Sequence, residues 1–165
     1  MIACVDVDYR DPLALAACVV FNSWIDETVL CEKTRLVEGV KSYQSGEFFR
    51  RELPCIMAVL KELEKKPNVI IVDGYVWLNG SGKHGLGAHL FYALDRKIPV
   101  IGVAKKPYGS GNGTTSVFRG ESKKPLYITS AGIDPLKAAM CIRTLTGHHR
   151  IPNILKRVDR LCRNS

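Results

Sequence analysis

One mixed α/β domain is predicted, on three observations. The first forty residues hold three strand-like runs with only short turns between them. The apolar pattern then changes to helical spacing. From residue 69 onward, fully apolar runs of four or five residues alternate with helical segments. Short connections make the first three strands antiparallel neighbours. Strands that lack in/out alternation and are separated by helices pair in parallel and are covered on both faces. The expected sheet therefore has three antiparallel strands followed by parallel ones, flanked by helices. With 165 residues, 46% of them apolar, the chain fills one sizeable core, so residues 1–165 are read as a single domain.

The first three strands are expected at residues 2–9, 14–22 and 28–37, broken by Asp11-Pro12 and by Asn22-Ser23-Trp24-Ile25-Asp26. Phe48, Phe49, Leu53, Ile56, Met57, Leu60 and Leu63 then recur at helical spacing up to Lys65-Lys66-Pro67. Pro54 suits that helix only near its start, where the first amides need no intrahelical acceptor; elsewhere it kinks the helix. An apolar strand at 69–72, a glycine-containing loop, a helix at 86–95 and a second apolar strand at 100–104 follow. Residues 115–119 and 126–129 read as a further strand pair, residues 135–145 as a helix, and the chain from Pro152 as a basic helical tail. There is no internal repeat, and Gly109-Ser110-Gly111-Asn112-Gly113 is the one low-complexity stretch.

Charge is divided unevenly. Residues 1–82 carry 9 Lys/Arg against 12 Asp/Glu, a balance of −3, whereas residues 83–165 carry 15 against 4, a balance of +11. A pI near 9.3 by itself speaks only for solubility. Acids able to hold cations beside a basic surface able to hold phosphates fit a nucleic-acid enzyme. The six cysteines fall mostly inside apolar runs, with no Cys-x-x-Cys pair and no histidine at zinc-ligand spacing, so they are read as buried reduced thiols. No run of 18 apolar residues occurs, and the N-terminus enters a strand-like run without a basic leader and cleavage site. A soluble, cytoplasmic, monomeric protein with no membrane contact is expected.

Three acids point to chemistry. Asp6 closes the apolar run Ile2-Ala3-Cys4-Val5, Asp73 closes Val69-Ile70-Ile71-Val72, and Glu52 lies between them in Arg50-Arg51-Glu52-Leu53. A carboxylate at the end of a buried strand is costly unless something pairs with it, and several converging on one crevice suit a divalent cation. Singly, each acid has a plainer role: Asp73-Gly74 a turn, Glu52 the complement of a helix N-terminus. Asp8 shares a strand face with Asp6 and is read either as a ligand or as a solvated strand end. Yet a loop leaving the carboxyl end of a central strand is where open α/β sheets place their sites. Lys105-Lys106 follow the strand at 100–104 at that same end, where a lysine can hold a scissile phosphate. His84 and His89 flank the helix start Gly85-Leu86-Gly87-Ala88, and His89 is read as a packed residue. Residues 109–113 are read as a flexible loop. Metal-assisted phosphodiester cleavage is the leading chemistry.

The ordered motifs resemble the endonuclease V family, deoxyinosine 3′-endonucleases of the ribonuclease-H-like superfamily. Asp6-Val7-Asp8-Tyr9 resembles the first-strand Asp-Val-x-Tyr/Phe. Tyr43-Gln44-Ser45-Gly46 and Arg51-Glu52-Leu53-Pro54 are similar to Tyr-x-x-Gly and Arg-Glu-x-Pro, and Val72-Asp73-Gly74 to the second acidic strand. Gly85-Leu86-Gly87-Ala88-His89-Leu90 and Pro99-Val100-Ile101-Gly102-Val103-Ala104-Lys105 follow, and Lys124-Pro125-Leu126-Tyr127-Ile128, Arg150-Ile151-Pro152, Arg157 and Asp159 keep the order of the C-terminal third. The resemblance implies a ribonuclease-H-like fold and hydrolysis of the second phosphodiester bond 3′ to deoxyinosine, or near inosine in RNA. It implies Asp6, Glu52 and Asp73 as ligands of Mg²⁺, for which Mn²⁺ can substitute, and Lys105 as the phosphate contact, all four counted as catalytic. DNA or RNA is the implied partner, contacted through Tyr43, Gly74, Lys83, His84, Gly85, Lys106, Arg150 and Arg157.

Three departures stand out. The family's Pro-Tyr-Ile-Pro wedge is Ser42-Tyr43-Gln44-Ser45 here, which keeps the ring and loses both prolines. The loop after Asp73, which usually holds His-Pro-Arg, reads Tyr75 to His84, so Lys83 and His84 substitute or the lesion pocket is altered. Gly-His-Arg-Ile-Ser is shortened to Gly132-Ile133-Asp134, and the lost imidazole leaves Asp134 as a candidate oxygen ligand of the metal or, before Pro135, as a helix N-cap. The reading is an endonuclease of this type. Its rivals are a related nuclease acting on RNA or another structure and a noncatalytic nucleic-acid binder, the latter disfavoured because clustered carboxylates repel phosphate.

Overall fold

The structure, a computed structural model, describes residues 1–10, 12–39, 49–80 and 82–164. Among these residues, one sheet is built from β1 (Ile2–Arg10), β2 (Leu13–Phe21), β3 (Val29–Val37), β4 (Val69–Asp73), β5 (Val100–Ala104), β6 (Thr115–Val117) and β7 (Leu126–Ala131). The helices are α1 (Phe49–Leu60), α2 (Leu86–Ala93), α3 (Pro135–Thr144) and α4 (Asn153–Asn164). In space the strands run β3-β2-β1-β4-β5-β7-β6. The first three are antiparallel neighbours, β4 is parallel to β1 and to β5, and β7 is antiparallel to β5 and β6. The sheet is mixed, as its sequence predicts, and every predicted element is present within a few residues. Phe48 lies outside the described residues. Pro54 sits in the second turn of α1 rather than its first, so the helix there forgoes one i→i−4 bond.

Side-chain alternation divides the core in two. Ala3, Val5, Ala16, Cys18, Ile70 and Val72 pack under α1 and α2, whereas Ile2, Cys4, Ala17, Val19, Ile71, Ile101 and Val103 pack under α3 and α4. Burial on both faces explains why the central strands read as unbroken apolar runs. It also fixes where the polar residues at the strand ends point. Asp6 continues the Ile2 and Cys4 row, Asp73 the Val69 and Ile71 row, and Lys105 the Ile101 and Val103 row, so all three belong to the α3/α4 face.

Two arginines hold the connections at this end of the sheet. Arg119 is 6% exposed, and its guanidinium donates to the carbonyls of Leu145, Thr146, Gly147, His149 and Arg150. That one side chain satisfies most of the turn between α3 and α4. Arg150, at the end of that turn, donates to the carbonyls of Pro125 and Lys105 and so braces the chain just past β5.

Replacing Arg119 by Met keeps bulk but strands the buried Leu145 carbonyl, at a cost on the order of 1–3 kcal/mol before relaxation, and removes the donor from four part-buried carbonyls. The expected loss is roughly 2–4 kcal/mol, a melting temperature lower by roughly 5–15 °C for a domain of this size. Thermal unfolding measured by circular dichroism checks it.

Candidate active site

Parallel pairing of β1 with β4 sets Val5 opposite Val72. Asp6 and Asp73, the next residues along, therefore emerge side by side at the carboxyl ends of buried strands. Glu52 reaches them from the first turn of α1, and Lys105 from just beyond β5. The four predicted catalytic residues line one cleft of about 300 Å³, together with Val7, Asp8, Asp159, Cys162 and Arg163.

The cleft has more negative charge than its surroundings compensate. Glu52 is only 8% exposed, and its Oε2 is buried without a partner. Burial, and then the charges of Asp6 and Asp73, push its carboxyl up to about 9. Asp6 accepts one hydrogen bond from the Val7 amide at 2.9 Å, yet burial and the neighbouring Asp73 raise it to about 6. Of Asp6, Glu52 and Asp73, only Asp73 has an ion-pair partner among the described residues, for the Lys105 ammonium donates to its Oδ2 at 2.5 Å. Burial works against that ammonium, but the hydrogen bond and charge of Asp73 outweigh it and hold Lys105 above the usual lysine range.

Among the described residues, no three His, Cys, Asp or Glu side chains stand within reach of a single metal ion. In this arrangement Lys105 takes the place beside Asp73. The residues nonetheless fit a divalent cation. The donors are all carboxylate oxygens, one is orphaned and buried, and two are held above their ordinary range by burial and then by neighbouring negative charge, which a hard cation would offset.

The sequence points α4 toward nucleic acid through Arg157, and the structure also brings another face of this helix into the cleft. Asp159, Cys162 and Arg163 are spaced i, i+3, i+4 and share the helix face that enters the cleft. Asp159 accepts from Arg163 Nε at 2.9 Å. Arg10 donates to Asp8 and to the carbonyls of Cys162 and Arg163, tying the end of β1 to the last turn of α4. The signal in the sequence is that spacing, which lies inside a strongly basic segment.

Asp134 is corrected as a metal candidate. Because β7 is antiparallel to β5, with Ala131 opposite Val100, Asp134 leaves the sheet at the end where β5 begins, away from Lys105. Its carboxylate accepts from the Lys137 amide at 2.9 Å, with Pro135 in the first turn, which is the N-cap arrangement.

The residues assigned to nucleic acid are scattered in role. Gly74 has φ +125° and donates to Val103 O, and Gly85 donates to Val76 O, so both shape the loop from β4 to α2. His84 bridges Trp77 and stacks on Tyr92 with ring centroids 5.1 Å apart, and His89 stacks on Phe49. Lys83 and Lys106 are exposed. Arg157 pairs with Glu32 on β3 at 2.5 Å, and Arg150 is the brace already described. Tyr43 lies outside the described residues.

A family model described as Endonuclease V matches residues 1–115. The chain is 31% identical to Endonuclease V of Streptomyces avermitilis over 98% of its own length and 78% of that protein's. It belongs to the Endonuclease V family. Human ENDOV superposes with a TM-score of 0.79 at 25% identity, covering 98% of this chain and 82% of that one. Endonuclease V of Ciona intestinalis, solved with a 24mer DNA containing an inosine followed by a ribo-adenosine, shares the fold with a TM-score of 0.80 at 21% identity, over 98% and 84% of the two chains. As a member of the family the chain is an endonuclease acting on nucleic-acid phosphodiester bonds. Among the described residues, no helix is long and apolar enough to cross a membrane.

The raised carboxyls set a pH dependence of stability. Both native values lie above the ordinary carboxylate range, so between that range and about 9 the native state binds more protons than the unfolded chain. Stability in chelator should therefore fall as pH rises through that window, and Glu52→Gln should flatten the fall. Melting temperatures from pH 5 to pH 9.5 measure it; a native curve that keeps rising up to pH 9 contradicts the cleft electrostatics.

Proposed function

We propose that this endonuclease V cuts the phosphodiester backbone close to deoxyinosine or inosine, in the manner of a DNA-repair nuclease, with Mg²⁺ as its ion and Mn²⁺ able to substitute. The observation that carries the reading is the under-compensated cluster of Asp6, Glu52 and Asp73 at adjacent strand ends, with an ammonium beside it. Those three carboxylates would hold the cation, and Asp159 offers a fourth. When bound, a divalent cation supplies an activated water and charge for the departing oxygen.

The chain's own groups do the rest. Lys105 donates to a non-bridging phosphate oxygen once Asp73 is engaged elsewhere, and the brace from Arg150 to its carbonyl keeps the stem aimed at the cleft. Arg10 and Arg163 on the rim offer positive charge to flanking phosphates. Lys83 and His84, in the connection from β4 to α2, and the exposed Lys106 just past β5 would meet the nucleic acid. The Ciona complex supports inosine as the base, and its ribo-adenosine supports a ribonucleotide arm in the test. All six cysteines are free and four are buried, in keeping with work in the cytoplasm.

Oligonucleotides of matched sequence with inosine, uracil or no lesion, as DNA and as RNA, are incubated with Mg²⁺ or with chelator. Inosine-dependent nicking that chelator stops is expected. Asp73→Asn should lower the rate by at least the ~100-fold reached by substitutions around metal ligands, while binding holds or tightens because a charge repelling phosphate is gone. Equal cutting of all substrates removes the inosine assignment, and full Mg²⁺-dependent turnover by Asp73→Asn removes the site.

A further inference from the structure

The segment just past Asp73 is clamped harder than a loop requires. The Gly74 amide donates to Val103 O at 3.0 Å, the Tyr75 carbonyl accepts from the Gly87 amide at 3.1 Å, and the Val76 amide donates to Thr129 Oγ1 at 2.8 Å. Gly102 on β5 permits this approach, since a Cβ there would stand 2.6 Å from Gly74 O and 2.8 Å from Val76 N. Three elements thus fix the backbone of residues 74–76 against the strand ends.

The Tyr75 side chain is fixed as well. It crosses from the end of β4 to the chain beyond β5, where its hydroxyl donates to the Lys106 carbonyl at 2.8 Å. Tyr108 packs on it, ring centroids 6.1 Å apart and planes at 56°, and remains 44% exposed. A tilted pair at that separation has no slot for a base between its rings, so a base would land on the exposed part of Tyr108. Tyr108 follows Lys105 by three residues and Tyr75 follows Asp73 by two, and the bond from the Tyr75 hydroxyl to the Lys106 carbonyl holds the pair at the strand end that carries Lys105. Latching an aromatic ring that solvent still reaches serves contact with a flat partner better than it serves the core.

We infer that Tyr108, backed by Tyr75, is a stacking platform for one unpaired nucleobase next to the scissile phosphate, a subsite for single-stranded nucleic acid. This rests on the nuclease reading of the cleft. Every base has a π face, so the platform is indifferent to sequence but requires the nucleotide to be out of its duplex stack. A rigid backing means that little ring freedom is lost when a base lands on it. The platform therefore acts on binding more than on the chemical step.

The test pairs Tyr108→Ala with oligonucleotides carrying a single abasic nucleotide at each position within three of the cut. On an intact single strand, Tyr108→Ala should raise KM roughly 5- to 100-fold, as loss of one stacked base does, with kcat nearly unchanged and Tyr108→Phe restoring KM. At one position the abasic substrate should raise KM for the native enzyme to the level of the variant, and the variant should not distinguish the two substrates. An unchanged KM for Tyr108→Ala, or penalties that add at every abasic position, overturns the platform. If native protein cuts no substrate in the series, the nuclease reading fails instead. Equal thermal melting of the Ala variant and native protein shows that the effect is not one of folding.

Discussion

The parallel registration of β1 with β4 is the constraint on which the cleft depends. It places two carboxylates side by side where both strands run out of apolar partners. On neighbouring strands, about 5 Å apart, two such charges repel by roughly 3 kcal/mol at an effective dielectric near 20. Glu52 enters the same space and adds to the repulsion. Lys105 compensates Asp73 most directly, and burial, followed by the neighbouring charges, leaves Asp6 and Glu52 holding protons above their ordinary range. A fold optimised only for stability would remove this arrangement by substituting any one of them.

The surrounding structure keeps the repelling groups in place. Arg10 joins the end of β1 to the last carbonyls of α4, where a cation also suits the helix dipole. Arg119 gathers the α3–α4 turn, and Arg150 carries that turn to the Lys105 carbonyl. Much of the basic second half is thus engaged in holding the chain together. Arg157, tied to Glu32, is another such case, and its charge is less available to phosphate than the sequence alone implies.

Strands with unbroken apolar runs and a helix with regular spacing are legible in a sequence because burial acts on each residue separately. Asp6 and Asp73 were legible for the same reason, being charges that end apolar runs. Glu52 stands beside them in the sequence as the weaker candidate, since nothing local shows that a helix N-terminus will be buried against two strands. Asp134 and Asp159 show the limit. Both precede or occupy helices near the C-terminus, and which of them meets the cleft depends on β7 running antiparallel to β5, a fact of pairing that no single segment carries. The Tyr75 clamp was equally hidden, because it needs a missing Cβ at Gly102, a hydroxyl at Thr129 and an amide at Gly87 to meet in space.

The central proposal is that Asp6, Glu52 and Asp73 hold a divalent cation. Calorimetric titration of the native protein with Mn²⁺ at pH 7, in buffers of different ionisation enthalpy, tests it most directly. Glu52, with its carboxyl pushed up to about 9, is almost wholly protonated at that pH, whereas Asp6, at about 6, is mostly ionised. Binding should release about one proton per ion, and Glu52→Gln should both weaken binding and abolish the release. Mn²⁺ binding with no proton released, or binding unchanged in Glu52→Gln, would contradict the account.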